Sequence, residues 1–578
     1  MRMRLVWVVI GLWVLSGGAP VRAAGVVGDG TPGSCTEAAL NAVLENGGPV
    51  TFNCGGAPLT ITVTQAKLIT KETIIDGGGL ITLSGGGQTH VLENDSPLLT
   101  LRNLTIANGY TTGNGGGVYS RWKANLTIEN CTFTTNTSVN AVYDNDSGGG
   151  AVYLHSGLLT ITSSRFINNR AENSSGGAVH ILFGNAEITD TIFEDNHAGG
   201  YGGAFYNDGL LDGKGYIRFA GVTFGHNSGL GQGGAAFTWM YPYQPGSRIT
   251  IEGSRFTGNT VAPDVAGDAF GGGLRHGNGA LDILATTFDG NTAVNQGGAI
   301  WTGDGARITL TNTTLSGNAA DDGAGSGLGG ALMVAGGSVS LTNTTLANNR
   351  AGFMGGAIWG ASGITVTNTL FAGSLAGNPW GQNIHCGGTY VNGGGNFQSP
   401  NGPDDRACTT GITLDDPLLD ALADNGGPTP THALLADSPA VDAGKTSACP
   451  PLDQRGRARP FDGDSDGKGV CDSGAVEYTG FDHPSADNAA PYRAAQFTDH
   501  ARLTWNPVTW AASYEIQVDD HHDFSSPVYH ETGLNAAILE KQTPPLPGGL
   551  YYWRVRAMAA DGRPGAWSVT DTFVLMQP

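Results

Sequence analysis

Basic side chains are scarce in this chain. Lys and Arg number 29 against 50 Asp and Glu, a formal net charge of −21. Nucleic acid and anionic membrane surfaces need a basic footprint that this balance lacks, so nucleic acid is excluded as a partner. Charge of either sign is sparse as well, at 14% of the 578 residues, and Thr, Ser, Asn and Gly fill the polar positions instead. Long apolar runs are missing: the run from Leu5 to Leu15 falls short of the roughly 20 residues a spanning helix needs. With Arg2 and Arg4 before it and Val21-Arg22-Ala23 after it, this run reads as a signal peptide over residues 1–24. The mature protein is therefore expected to be secreted, extracellular or at a cell surface, and not an integral membrane protein. No Cys-x-x-Cys or Cys/His spacing points to zinc or redox chemistry.

Helical periodicity is nearly absent. One amphipathic stretch stands out, Thr36 to Leu44, with Leu40, Val43 and Leu44 on one face and Gly47-Gly48-Pro49 after it. It reads as an N-terminal cap over residues 25–49. What the chain has in abundance is glycine, 93 residues without a triplet period, and a repeat. Phe or Leu stands three residues before Asn at Phe133, Phe166, Phe193, Phe224, Phe256, Phe288, Leu315 and Leu346, in steps of 33, 27, 31, 32, 32, 27 and 31. A period near 30 signals stacked units. Alternating triplets such as Leu126-Thr127-Ile128 and Ile249-Thr250-Ile251 place apolar residues on one face of a strand. Paired glycines followed by an apolar residue, as at Gly176-Gly177-Ala178-Val179, supply a second strand, and Phe-x-x-Asn a third with its turn. The expected fold is all-β: a right-handed, single-stranded parallel β-helix of the pectin lyase-like kind over residues 50–430. The asparagines are expected at corners in the left-handed conformation, passing amide hydrogen bonds from coil to coil.

Together, Gly-Gly-Ala-(Ile/Val/Leu) and Phe-x-x-Asn resemble the repeats of the chlamydial polymorphic outer membrane proteins, over roughly Leu98 to Ser374. That resemblance implies a surface-exposed β-helical passenger with a role in adhesion, although no counterpart of that family's outer-membrane barrel is read here. The phrases Asp437-Ser438-Pro439-Ala440, Asp453-Gln454-Arg455-Gly456 and Cys471-Asp472-Ser473-Gly474-Ala475-Val476-Glu477 resemble the C-terminal region of secreted bacterial β-helix proteins of the choice-of-anchor type. They imply a C-terminal cap over residues 431–480. A linker is expected at 481–490. Residues 491–578, with Leu503-Thr504-Trp505, Tyr514-Glu515-Ile516-Gln517-Val518 and Tyr552-Trp553-Arg554-Val555-Arg556, are similar to a fibronectin type III sandwich. Cys35 with Cys54, Cys386 with Cys408 and Cys449 with Cys471 are each close enough in sequence to bridge, leaving Cys131 inside the repeat. Sequence leaves the connectivity open.

Candidate functional residues follow the repeat. Two residues after each Gly-Gly-Ala, Tyr119, Tyr153, His180, Tyr206, Phe237, Arg275, Met333, Trp301 and Trp359 form an outward column rich in aromatic rings. Such a stripe can stack on sugar rings or dock a partner. A covering loop or simple stabilisation of the sheet by stacked rings is the alternative, and residues 239–245 either cover the stripe or extend it. The leading expectation is an adhesive or binding scaffold for a polysaccharide or a cell-surface partner. The competing expectation is a polysaccharide lyase or glycoside hydrolase, for which Asp264, Asp268, Arg275 and His276 are the best local set. Asp462, Asp464 and Asp466 have the spacing of a calcium loop, though Ser473 replaces the glutamate that would complete it. A structural calcium or a plain polar turn fits them. No cofactor is required by the binding reading, whereas a lyase of this fold would need calcium-binding carboxylates.

Overall fold

The computed structural model describes residues 25–479 and 500–575, apart from 212–214, 242–243 and scattered single positions, together with the backbone of 486 and 487. The signal-peptide assignment lies outside these residues, as does the linker expected at 481–490 apart from Ala486–Asp487, which form a strand antiparallel to Arg502–Trp505. One coil shows how the repeat folds. Val179–Leu182 lies in one sheet, Asn185–Thr189 and Ile192–Glu194 lie in a second, and His197–Ala198 lies in a third. The next coil repeats this in parallel register, Val179 beside Phe205, Ile188 beside Phe219, Phe193 beside Phe224 and Ala198 one strand earlier beside Ala171. Among the described residues the three sheets hold 11, 23 and 11 strands. At about 4.8 Å per strand, eleven strands make a rod about 50 Å long. The fold is a right-handed parallel β-helix. A fourth strand per coil, after Asn, is often only two residues long, as at His197–Ala198 and Thr292–Ala293, too short for periodicity to be read.

The corners explain the repeat's visible letters. The residue with positive φ is the one before each asparagine, for example Asn168, Asp195, His226 and Gly258 at φ 55°, 55°, 52° and 62°. The asparagine itself is fully buried, which corrects the expected corner placement. Its amide needs partners that water cannot supply there, and the coils on either side supply them. Asn196 Nδ2 donates to Asn227 Oδ1 at 2.9 Å and to the Phe166 carbonyl at 2.9 Å, and Asn227 Nδ2 donates to Asn259 Oδ1 at 3.0 Å. Inside, the phenylalanine rings stack from Phe133 to Phe288 with centroids 4.5–4.9 Å apart. At the opposite corner a Cβ on Gly177 would lie 2.0 Å from the Gly203 carbonyl oxygen, so only glycine fits.

The helix Glu37–Leu44 is capped by Thr36, whose hydroxyl accepts from Ala39 N at 3.2 Å, and buries Leu40 against the first coil. Three disulfides join Cys35–Cys54, Cys386–Cys408 and Cys449–Cys471, and Cys131 is free and buried. The segment after residue 430 folds back along the flank of the rod. Gln454 Nε2 donates to Thr287 Oγ1 at 2.8 Å, Asn312 Nδ2 to the Leu452 carbonyl at 2.6 Å, and Asn343 Nδ2 to the Asp472 carbonyl at 3.0 Å. Arg459 and Glu477 pair at 3.0 Å within it, both side chains fully buried. Residues 500–575 form antiparallel strands around a core of their own that includes Trp505, Tyr514, Ile516, Trp553 and Val555. The strands expected at Leu503–Trp505, Tyr514–Val518 and Tyr552–Arg556 are present within Arg502–Trp505, Ser513–Asp519 and Gly549–Met558.

Candidate functional site

The outward aromatic column exists in register, but most of it is covered. Tyr153 pairs with His180, His180 with Tyr206, Tyr206 with Phe237 and Phe237 with Arg275 along successive strands. Tyr153, His180, Tyr206, Phe237 and Met333 are buried, while Tyr119, Trp301 and Trp359 are half-buried. Ring centroids stand 4.8 Å apart for Tyr153 and His180, 4.6 Å for His180 and Tyr206, and 4.8 Å for Tyr206 and Phe237. Burial holds the His180 imidazole far below its usual value, at about 3, so it is neutral. Of the two readings, an open stripe or a covered and stacked one, these positions follow the second: the rings stack as the floor of a deeper feature.

Two excursions build its walls. The strand Thr137–Gly148 breaks register with its neighbour between Val139 and Asp144 and again before Gly148, so an extra loop stands out from the coil. Tyr153 pins it by donating its hydroxyl to the Asp146 carbonyl at 2.9 Å. Facing it is the excursion after Ala236–Trp239, of which Pro242 and Tyr243 lie outside the described residues. Between them lies a cleft of about 750 Å³, a size that holds small ligands. Tyr206, Phe237 and Arg275 come from the expected column. Phe183, Tyr201, Trp239 and Tyr241 present rings, and Asp144, Asp146 and Asp208 present carboxylates. Burial raises the Asp208 carboxyl above its ordinary value, helped by Asp146.

Arg275 lies across this floor. Its guanidinium stands 4.6 Å from the Phe237 ring, 4.7 Å from Trp239 and 5.0 Å from Trp301. It is 7% exposed, and its Nε and Nη1 are sealed from water without a hydrogen-bond partner among the described residues. Burial lowers it to about 10, which leaves it charged at neutral pH. Phe183 adds local strain, because it takes φ 51°, a conformation that bulky residues avoid. Its ring lies over Gly209, where a Cβ would meet Phe183 Cδ1 at 2.4 Å.

The other expected sets are dispersed. Asp264 folds its own loop, accepting from Ala266 N at 2.9 Å and Asp268 N at 3.1 Å. His276 is fully buried, beside Thr238 Oγ1 at 2.9 Å, and as the residue after Arg275 it faces the other side of the strand. The four residues Asp264, Asp268, Arg275 and His276 therefore do not meet at one point. Trp301 donates to Gln296 Oε1 at 2.9 Å and stacks on Phe270, outside the cleft lining. Of the three acidic residues read as a calcium loop, Asp466 pairs with Lys468 at 2.8 Å, and Asp462 and Asp464 are joined instead by Asp442. Asp442 Oδ2 already accepts from Gly463 N and Asp464 N, each at 2.8 Å.

Sequence reasoning picked out one wall, at residues 239–245, and missed the other, at 137–148. Asp208 lies two residues beyond the column, so it shares the column's outward parity and was within reach of the same period-2 argument. Tyr143 comes from the irregular excursion within Thr137–Gly148 and Tyr201 from a bend before Gly202, where no periodicity applies.

Residues 190–208 and 285–303 match the family model of the Chlamydia polymorphic membrane protein repeat. Each matched stretch runs from a left-handed corner, Asp190 or Ala285, through Phe and Asn to the strand after the paired glycines. The chain thus carries repeats of this type on its β-helix, and the matched residues are those that build coils. Neither the curated proteins nor the solved structures contain a match to this chain. Among the described residues no helix is long and apolar enough to cross a membrane.

Proposed function

We propose that the protein is a secreted or cell-surface β-helical binding scaffold that holds a glycan in the cleft over Tyr206, Phe237 and Arg275. One observation carries this reading: the cleft combines reachable aromatic faces with converging carboxylates and a guanidinium. Sugars are bound by that combination, because their C–H faces pack on rings while their hydroxyls exchange hydrogen bonds with charged groups. The repeats of polymorphic membrane protein type and three disulfides suit an oxidising, external setting. The rod presents the cleft on a rigid element, and the domain at 500–575 serves as a spacer or second contact. Any calcium belongs at Asp442, Asp462 and Asp464, with a structural role.

A glycan array probed with the full chain tests the reading. Tyr201→Ala and Trp239→Ala are expected to lose the retained glycans, while Trp359→Ala keeps them. Loss in Trp359→Ala alone, or release of unsaturated or new reducing-end products from a bound glycan, would replace this reading with a different site or with catalysis.

A further inference from the structure

Arg275 is the anomaly of the cleft. A guanidinium taken out of water without an ion pair or a hydrogen bond costs several kcal/mol. Faces of Phe237, Trp239 and Trp301 offset part of that cost, at roughly 0.5–2 kcal/mol for each such contact. Packing alone would be served as well by an apolar residue, as Met333 serves in the same column two coils on. Asp208 is near enough to act on Arg275 electrostatically, yet the two form no ion pair. Gln232, also in the lining, has its Oε1 buried and without a partner among the described residues. The lining thus includes a donor side chain and an acceptor side chain, each with a sealed polar atom left unpaired among the described residues.

The charge of the lining sets what can use them. Asp144, Asp146 and Asp208 outnumber the single cation Arg275, on a chain whose net charge is already −21. A ligand bearing carboxylate or sulfate would gain Arg275 and face three carboxylates. A hydroxyl-rich uncharged ligand satisfies both signs, since each hydroxyl donates to a carboxylate or to Gln232 and accepts from the guanidinium.

Building on the glycan reading, we infer that the ligand is an uncharged saccharide and that Arg275 is its specificity-determining contact, donating to sugar oxygens while Asp208 and Gln232 accept from sugar hydroxyls. Uronic acid and sulfated chains are discriminated against by Asp144, Asp146 and Asp208.

The test is calorimetric titration of the full chain with cellotetraose, mannotetraose and chitotetraose as uncharged probes and tetragalacturonate as the charged one. At least one uncharged probe is expected to bind, and tetragalacturonate is expected to bind at least about tenfold more weakly, as one unfavourable charge contact implies. Arg275→Gln should weaken the uncharged probe by about ten- to a hundredfold, the loss of a charged hydrogen bond. Its melting temperature, compared with that of the parent chain, shows that the fold is retained. Asp208→Asn, a second variant that keeps shape, should narrow the gap between tetragalacturonate and the uncharged probe. Tighter binding of tetragalacturonate overturns the uncharged class. Unchanged affinity in a folded Arg275→Gln, with loss in Trp239→Ala, overturns the role of Arg275 and leaves the glycan reading standing. Absence of binding by all four probes, and of any hit on the array, overturns both.

Discussion

Replacing Asn227 by alanine removes one rung of the internal amide ladder. In the native chain Asn227 Oδ1 accepts from Asn196 N at 3.0 Å and from Asn196 Nδ2 at 2.9 Å. Its Nδ2 donates to the Phe193 carbonyl at 3.0 Å and to Asn259 Oδ1 at 3.0 Å. Alanine leaves Asn196 N–H and the Phe193 carbonyl without these side-chain partners, in a place where Asn227 is fully buried. Each orphaned buried group costs about 1–3 kcal/mol, and the void left by the amide adds to it, so about 3–5 kcal/mol is expected. In a stacked array the loss is felt mainly by neighbouring coils. Hydrogen exchange followed by mass spectrometry should show faster exchange in peptides spanning 193–231, with the N-terminal coils unchanged. Glu194→Ala on the outer face, where the pair with Arg165 is exposed and 3.5 Å long, serves as the control and should shift stability by less than about 0.5 kcal/mol. Equal effects of the two variants would refute the ladder as a support of the rod.

Further outcomes follow from the same structure. Burial holds His180 at about 3 and His276 at about 4, below the ordinary value of 6.5 that the unfolded chain would show. The unfolded state therefore binds more protons as pH falls from 6.5 toward 4, and stability present above pH 6.5 is lost over that window, by an amount on the order of a few kcal/mol. Melting temperature against pH should fall across it, less steeply in His180→Phe; a flat profile would contradict the burial of these rings. Cys131, whose thiol burial pushes up to about 11, should resist a maleimide at pH 8 until the chain is denatured, and fast native labelling would place it outside the core. Arg459→Ala strips the buried partner from Glu477 and removes the donors that Arg459 Nη1 and Nη2 give to the Asp472 and Gly474 carbonyls. A cost of about 3–5 kcal/mol is expected, confined to the flank segment, so limited proteolysis should cut within 431–478; unchanged resistance would show that the segment is held by its disulfide alone.

The rod was legible because its letters are periodic. Phe224 and Phe256 repeat at the spacing of a coil, and every Phe-x-x-Asn asks the same thing of its neighbours. Corner details were not, since a left-handed residue can be Asn168, Asp195, His226 or Gly258 and leaves no single letter to find. The stripe was placed correctly in register, and a covering loop was one of its two readings, but that loop could not be located: the excursion at 137–148 carries no periodic letter. Arg275 was picked out for the wrong company, beside His276 in sequence, when strand parity sends the two to opposite faces. The backfolding of the segment after residue 430 had a faint signal, in the change of an outward column from Arg255 to Thr287, Thr314 and Thr345, which are buried beneath it.

The central claim is that ligand sits in the cleft walled by the two excursions. Hydroxyl-radical footprinting of the full chain, with and without a glycan retained on the array, reads this directly. The account predicts protection of Tyr143, Tyr201, Trp239 and Tyr241, with Trp380, 57% exposed and beyond Trp359 along the chain, unchanged. Protection at Trp380 with the cleft rings still reactive would contradict it.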